Sequence, residues 1–167
     1  MLTAFSSVRL VLSGTAAQGA LRRQGHTYLL DPAGVDTDVA EADAAFREAG
    51  RLLRSDPLRA DAAFERGLGL YLGELLSEEG PAEWVVEPRE AWRARMAGAA
   101  YDLAVLRYAA GRSSEAVRAA RQGLSADRHH DPLWRVLVAA LRSRDDQAAA
   151  DRAAGEYDDV LRGLAAD

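Results

Sequence analysis

The sequence predicts an all-α protein, a series of three stacked helix pairs behind a short N-terminal β-hairpin. Three observations carry that prediction. Composition is the first: 35 Ala and 22 Leu among 167 residues favour helix, and the absence of Ile removes a strong strand former. Spacing is the second. From Thr37 onward, apolar residues return every three or four positions, the period of one helix face. The third is an internal repeat with a period of 34 residues in the C-terminal half.

The hairpin comes first in the chain. Ala20–Gln24 and Thr27–Asp31 flank the pair Gly25-His26, and Thr27-Tyr28-Leu29-Leu30 is rich in strand formers. A Gly-X pair between two such runs predicts a type II′ turn. Val8–Leu12 fits a strand or a helix end equally, and Asp31-Pro32-Ala33-Gly34 reads as a turn. Charge places a boundary after it. In residues 1–35, Arg9, Arg22 and Arg23 stand against Asp31 alone, a net of +2, whereas residues 36–167 carry a net of −7. Residues 1–35 are therefore read as an N-terminal segment and 36–167 as a helical domain.

Six helices follow in the pattern. Val39, Ala42, Phe46, Ala49 and Leu53 make one face of a helix over about 37–54. Asp56-Pro57 opens the next, an N-cap carboxylate with Pro in the first turn, and Ala60, Phe64, Leu68, Tyr71, Leu72 and Leu75 carry it to residue 75. Ser77-Glu78-Glu79-Gly80-Pro81 breaks it. Pro88 is expected to open a third helix, with Trp92, Met96, Ala99, Leu103, Leu106 and Ala110 on one stripe, ending near Gly111. Ser113 or Ser114 is expected to cap a fourth helix reaching about Ala126. Asp131-Pro132 repeats the cap-and-Pro device and opens a fifth, to about Ser143. Asp145 or Asp146 caps a sixth, with Ala149, Ala153, Tyr157, Val160, Leu161 and Leu164 on its face.

The repeat orders these helices. A shift of 34 residues pairs Ala100 with Trp134, Leu103 with Leu137, Gly111 with Asp145 and Ala116 with Ala150. That is the period of the tetratricopeptide repeat, which implies a short right-handed solenoid. The first pair has the same form, with its phase set by Ser55 and Ala60. Ala60, Ala116 and Ala150 are thus expected to be buried where paired helices cross closely.

Several functions are excluded or lose support. There is no Cys, so no disulfide, no thiol catalysis and no cysteine-held zinc; there is no Lys, so no P-loop. No apolar run reaches the roughly 18 residues of a membrane span, and no basic stretch followed by an apolar one marks a secretory signal. Cytoplasm is the simplest compartment. A net charge of −5 opposes bulk nucleic-acid binding. Gly67, Gly69 and Gly73 lie inside an apolar-periodic helix and read as close packing or a helix end, with no cofactor site. Asp127, His129, His130 and Asp131 have metal-ligand chemistry, but the His are adjacent and Asp131 is wanted as a cap, so no metal is expected. Glu78, Glu79, Glu83, Glu87 and Glu90 surround Trp84 and Trp92 with no sign of a raised carboxyl pKa, and Ser6, Ser7 and Ser13 lack a nucleophile-elbow context. No catalytic residue is expected. Trp84 and Trp92 are read first as core packing, with partner contact as the alternative, because Trp at an irregular connection often anchors an interface.

Four segments in order resemble the bacterial transcriptional activation domain, the helical module that follows the winged-helix domain in Streptomyces antibiotic regulatory proteins. They are His26–Asp31 with Val35-Asp36; Leu68–Leu76 (LGLYLGELL); Glu83-Trp84 with Arg89; and Asp127–Asp131 with Arg135, Leu137, Ala140 and Leu141. The likeness covers about residues 26–166. Arg128 stands where that family usually has Pro, and Asp131 where it usually has Glu. About 90 residues of winged helix would precede the hairpin in the family, and about 20 precede it here, with Arg22–Asp31 resembling a wing. The resemblance implies a non-catalytic regulatory domain without cofactor, acting through a protein partner or a homodimer. Its candidate contact residues are Trp84, Arg89, Trp92, Trp134 and Arg135. DNA would be reached through a missing or separate winged-helix domain, with Arg22 and Arg23 touching the backbone at most. The alternative reading is a free-standing tetratricopeptide-like adaptor unrelated to transcription.

Overall fold

The computed structural model describes residues 19, 21–25, 27–31 and 37–165. They divide into two units, one ending at Glu41 and one beginning at Ala42. In the first, β1 (Leu21–Gln24) and β2 (Thr27–Leu30) form an antiparallel pair in which Arg22 faces Leu29 and Arg23 faces Tyr28. Gln24 pairs with Thr27, and Gly25 has φ +63°, the left-handed region that glycine enters without a steric cost. His26, Val8–Leu12 and Pro32-Ala33-Gly34 lie outside the described residues.

From Thr37 to Ala165 the described chain is all-α. Its helices are α1 (Asp38–Leu52), α2 (Pro57–Gly69), α3 (Glu83–Ala109), α4 (Ser113–Ala126), α5 (Asp131–Arg142) and α6 (Gln147–Leu164), with one 3₁₀ turn at Ser77–Glu79. The α1 start is capped by the Thr37 hydroxyl, which accepts from the Ala40 N–H at 3.1 Å. Asp56 caps α2 by accepting from Arg59 N–H, with Pro57 in the first turn, and Asp146 caps α6 by accepting from Ala149 N–H. These three starts fall where composition placed them.

The 34-residue period is visible in the backbone. Arg112 N–H donates to the Arg107 carbonyl and Gly111 N–H to Tyr108; one period later Asp146 N–H donates to Leu141 and Asp145 N–H to Arg142. Both turns are Schellman motifs. Gly111 and Asp145 hold the left-handed position, at φ +72° and +56°. Helices α3 and α4 pack together, α4 packs on α5, α5 on α6, and α5 also lies on α3; α2 packs on α3. Ala60, Ala116 and Ala150 are fully buried, as their shared phase requires.

Four helix boundaries differ from expectation. The second helix stops at Gly69, so Tyr71, Leu72 and Leu75 lie beyond it. Two glycines in its last turn lower helix propensity. Gly67 is there for space: a Cβ on it would lie 2.5 Å from the Phe46 ring of α1. The third helix begins at Glu83, and Pro88 sits within it. Its first turn is secured by burial of Val85 rather than by a proline start. Neither Ser113 nor Ser114 caps α4; Arg112 is the cap residue, and the Ser113 hydroxyl pairs with that of Ser143 at 2.7 Å. Asp131 is the first residue of α5 and not its cap, which is His130. Its carboxylate is drawn away by Arg135 and Tyr157.

Close packing predicts opposite signs for two glycines in helices. A Cβ at Gly123 would lie 2.6 Å from Leu133 Cδ1 of α5 and 2.7 Å from the Ala100 Cβ of α3, whereas one at Gly98 would meet nothing within 4 Å. The Ala100 Cβ sits on rigid helix backbone and cannot swing aside. Gly123→Ala is expected to destabilise by about 1–3 kcal/mol, outweighing its helix-propensity gain. Gly98→Ala, which has that gain alone, is expected to stabilise by about 0.5–1 kcal/mol. Urea melts of the two variants check the contrast.

Candidate interaction surface

The connection between α2 and α3 turns sharply at three places. Gly73 and Gly80 take φ of +152° and +59°, and Leu76 is left-handed at φ +51°. A non-glycine residue there is strained and persists only when its surroundings hold it. Arg89 of α3 does so. Its Nε donates to the Leu75 carbonyl at 2.8 Å, Nη1 to Gly80 at 2.6 Å and Nη2 to Leu76 at 2.5 Å. The planar guanidinium reaches three carbonyls of one loop from a single buried position. Arg93, one turn on, binds Glu74 of the same connection and Glu90 of its own helix.

The latch sets the exposure of what lies around it. Val85 is fully buried, while its neighbours Trp84 and Val86 face outward, Trp84 at 61% exposure. Leu72 and Leu76 on the connection are also exposed. Four large apolar side chains of the connection and the first turn of α3 are thus exposed. Between the connection, α3 and the α4–α5 loop lies a groove of about 1080 Å³. Tyr71, Leu72 and Leu124 give it apolar wall, and Glu74, Glu90, Arg93 and Arg128 give it charge.

The predicted contact residues separate into two kinds. Trp84 is free at the surface. Arg135 is largely exposed but paired to Asp131 at 2.9 Å. Arg89 and Trp134 are engaged within their own chain. Arg89 is committed to its own chain's carbonyls, and Trp134 is 7% exposed. The Trp134 indole N–H donates to the Arg128 carbonyl at 2.8 Å, and the ring stacks on Tyr157 with centroids 5.8 Å apart. Trp92 is half-buried against the core. The Tyr157 hydroxyl donates to Asp131; that bond and the Arg135 guanidinium hold the Asp131 carboxyl below its usual range. His129 N–H bonds Asp127 Oδ1 at 2.9 Å, and the His130 ring leans on Tyr101. Arg22 and Arg23 lie on β1; their side chains are outside the described residues.

Sequence reasoning missed a buried ionic cluster joining α2, α3 and α4. Arg107, 4% exposed, forks onto Asp61 at 2.8 and 3.0 Å, and Arg112 reaches the same carboxylate at 2.5 Å. Glu65 and Glu115 stand 3.2 and 3.7 Å from Arg107. Burial pushes the Asp61 pKa up, but the hydrogen bonds and charges of Arg107 and Arg112 outweigh it and hold the carboxyl below its ordinary value. A signal was available: Arg107 falls four residues after Leu103, on the apolar stripe, where an unpaired charge is not tolerated.

No helix among the described residues is long and apolar enough to cross a membrane. Residues 37–167 match the family model described as "Bacterial transcriptional activator domain". No curated protein matches the chain.

Proposed function

The chain belongs to the bacterial transcriptional activator domain family, and from that premise we propose that residues 36–167 are the protein-interaction domain of a bacterial transcription regulator. In this reading the three helix pairs, α1–α2, α3–α4 and α5–α6, form a tetratricopeptide-like superhelix working in the cytoplasm. The domain catalyses nothing and needs no cofactor. It binds a protein partner or a second copy. Residues 1–35 are an N-terminal segment with a wing-like hairpin, and DNA is engaged only through a separate winged-helix domain rather than by the helical region. The observation that carries the reading is the family match, which spans every described helix. The exposed Trp84, Val86, Leu72 and Leu76 support it, since exposed large apolar side chains are available to a partner.

A tethering experiment tests this. The full chain, fused to an unrelated DNA-binding domain, is expected to raise transcription from a promoter bearing that domain's operator above the DNA-binding domain alone. Trp84→Ala combined with Val86→Ala is expected to reduce the effect without unfolding the chain, since both side chains are exposed. A folded fusion that leaves transcription unchanged, at several operator positions and in a native-type host, overturns the reading.

A further inference from the structure

A groove of about 390 Å³ opens where α1, α2 and α3 meet. Phe46 of α1 and Phe64 of α2 close its floor, and Arg47 of α1 with Arg95, Gly98 and Asp102 of α3 line its walls. Its two ends carry opposite charge. At one end Arg47 and Arg95 both pair with Asp43, at 3.0 and 2.5 Å. Two guanidinium groups on a single carboxylate leave positive charge in excess. At the other end stands Asp102, seven residues after Arg95 and so about 10 Å farther along the helix.

Asp102 forms no hydrogen bond and no ion pair among the described residues. The groove walls withdraw water from its carboxyl and push the pKa above its ordinary value, and no cation of the chain offsets that. A carboxylate stripped of part of its water and given no partner is costly, and a cation brought to it supplies what the chain does not. Between the two ends lies Gly98. A Cβ there would meet nothing within 4 Å, so packing inside the chain does not call for glycine, which costs a helix interior about 1 kcal/mol relative to Ala. The missing side chain leaves the groove open between its charged ends.

We propose that this groove docks an extended segment of a protein partner, which presents an Arg to Asp102 and an acidic residue about three positions away to Arg47 and Arg95. Extended chain advances about 3.3 Å per residue, so three residues span the distance between the two charged ends. The volume is at the small end for binding sites and suits a few side chains rather than a helix. Arg suits the site better than Lys, because a guanidinium is more weakly hydrated and gives up less on entering a part-desolvated groove. Its methylene stem lies over the phenyl floor. The proposal deepens the interaction-domain reading and rests on it.

Selection of random dodecapeptides, displayed on phage, against the full chain tests it. Enriched peptides are expected to carry an Arg with Asp or Glu about three positions away. Synthetic copies capped at both ends are expected to lose at least about tenfold in affinity on Gly98→Leu, which fills the groove, and on Asp102→Asn, which removes its negative end. Both variants should keep the wild-type helical circular dichroism, because Gly98 has free space and Asp102 has no partner to lose. Asp102→Arg should select peptides with an acid where the Arg was. Selection that enriches no peptide overturns the proposal, as do enriched peptides without Arg, or peptides that bind Gly98→Leu or Asp102→Asn as tightly as wild type. N-acetylarginine amide that competes as strongly as the peptides would mark a site for a small free cation and overturn the docking of a chain. Tethered activation that persists in Gly98→Leu, with no peptide enriched, removes the groove and leaves the interaction-domain reading standing.

Discussion

Asp61→Ala is expected to lower the stability of the folded chain by about 3–5 kcal/mol, the range for breaking a buried ion pair by removing one partner. At about 2–4 °C per kcal/mol for a chain of this size, the melting temperature should fall by roughly 10 °C. The cost arises from what is left behind. Arg107 is 4% exposed and loses both bonds of its fork, and Arg112 loses its contact with the same carboxylate. Glu65 and Glu115 remain near Arg107 but are more exposed and farther off. Asp61→Leu with Arg107→Met removes both charges and should recover much of the loss, which separates the burden of an orphaned charge from the net value of the pair. Thermal and urea melts of the single and double variants measure the difference.

The same carboxylate sets an acid dependence. The Asp61 pKa is held below the unfolded value of about 3.9, so the folded state takes up its proton less readily than the unfolded state. Its contribution is therefore complete above roughly pH 4 and is lost as pH falls through the depressed folded value. Asp61→Ala should show a shallower loss of stability below pH 4 than the wild type. Equal slopes would mean that other carboxylates carry the acid unfolding.

Elements set by local chemistry were legible in the sequence. Asp56-Pro57 and Asp146 act within one turn, and each forms the expected cap. The 34-residue period was legible because it is written in small residues: Ala116 and Ala150 stand one period apart, and both, like Ala60 of the first pair, are fully buried. What failed depended on distant groups. Asp131 looks like a cap until Tyr157 and Arg135, on α6 and one turn along α5, claim its oxygens. Pro88 looks like a helix start until Val85 buries the turn before it. The stacking of Trp134 on Tyr157 was not legible either, because nothing in its own helix announces a neighbour 23 residues later. Charge of known sign but unknown direction was the least legible feature. Arg89 and Arg107 both point inward among 21 arginines that composition cannot tell apart.

Arg89→Ala is expected to release the connection between α2 and α3 at a cost of about 2–4 kcal/mol, since hydrogen bonds from a charged donor contribute about 1.5–3 kcal/mol each and the freed carbonyls recover part of that from water. Three acceptors, Leu75, Leu76 and Gly80, lose their donor together. Leu76 then has less to hold it at φ +51°, a conformation that costs a non-glycine residue about 1 kcal/mol or more. Much of the change should be local, because the connection packs less tightly than the helices it joins. Hydrogen exchange should speed at residues 74–82 while the α4, α5 and α6 amides keep their protection. Limited proteolysis should shift to the connection for the same reason. Arg89→Lys should behave like the alanine variant, because a single ammonium cannot present a planar fork to three carbonyls. The consequence for function follows from position. Leu72 and Leu76 are carried by the latched connection, and Trp84 stands five residues before the latch on α3. Loss of Arg89 should therefore let Leu72 and Leu76 move with the freed connection and reduce tethered activation. If exchange rates at 74–82 match the wild type in Arg89→Ala, the guanidinium is not what holds the connection.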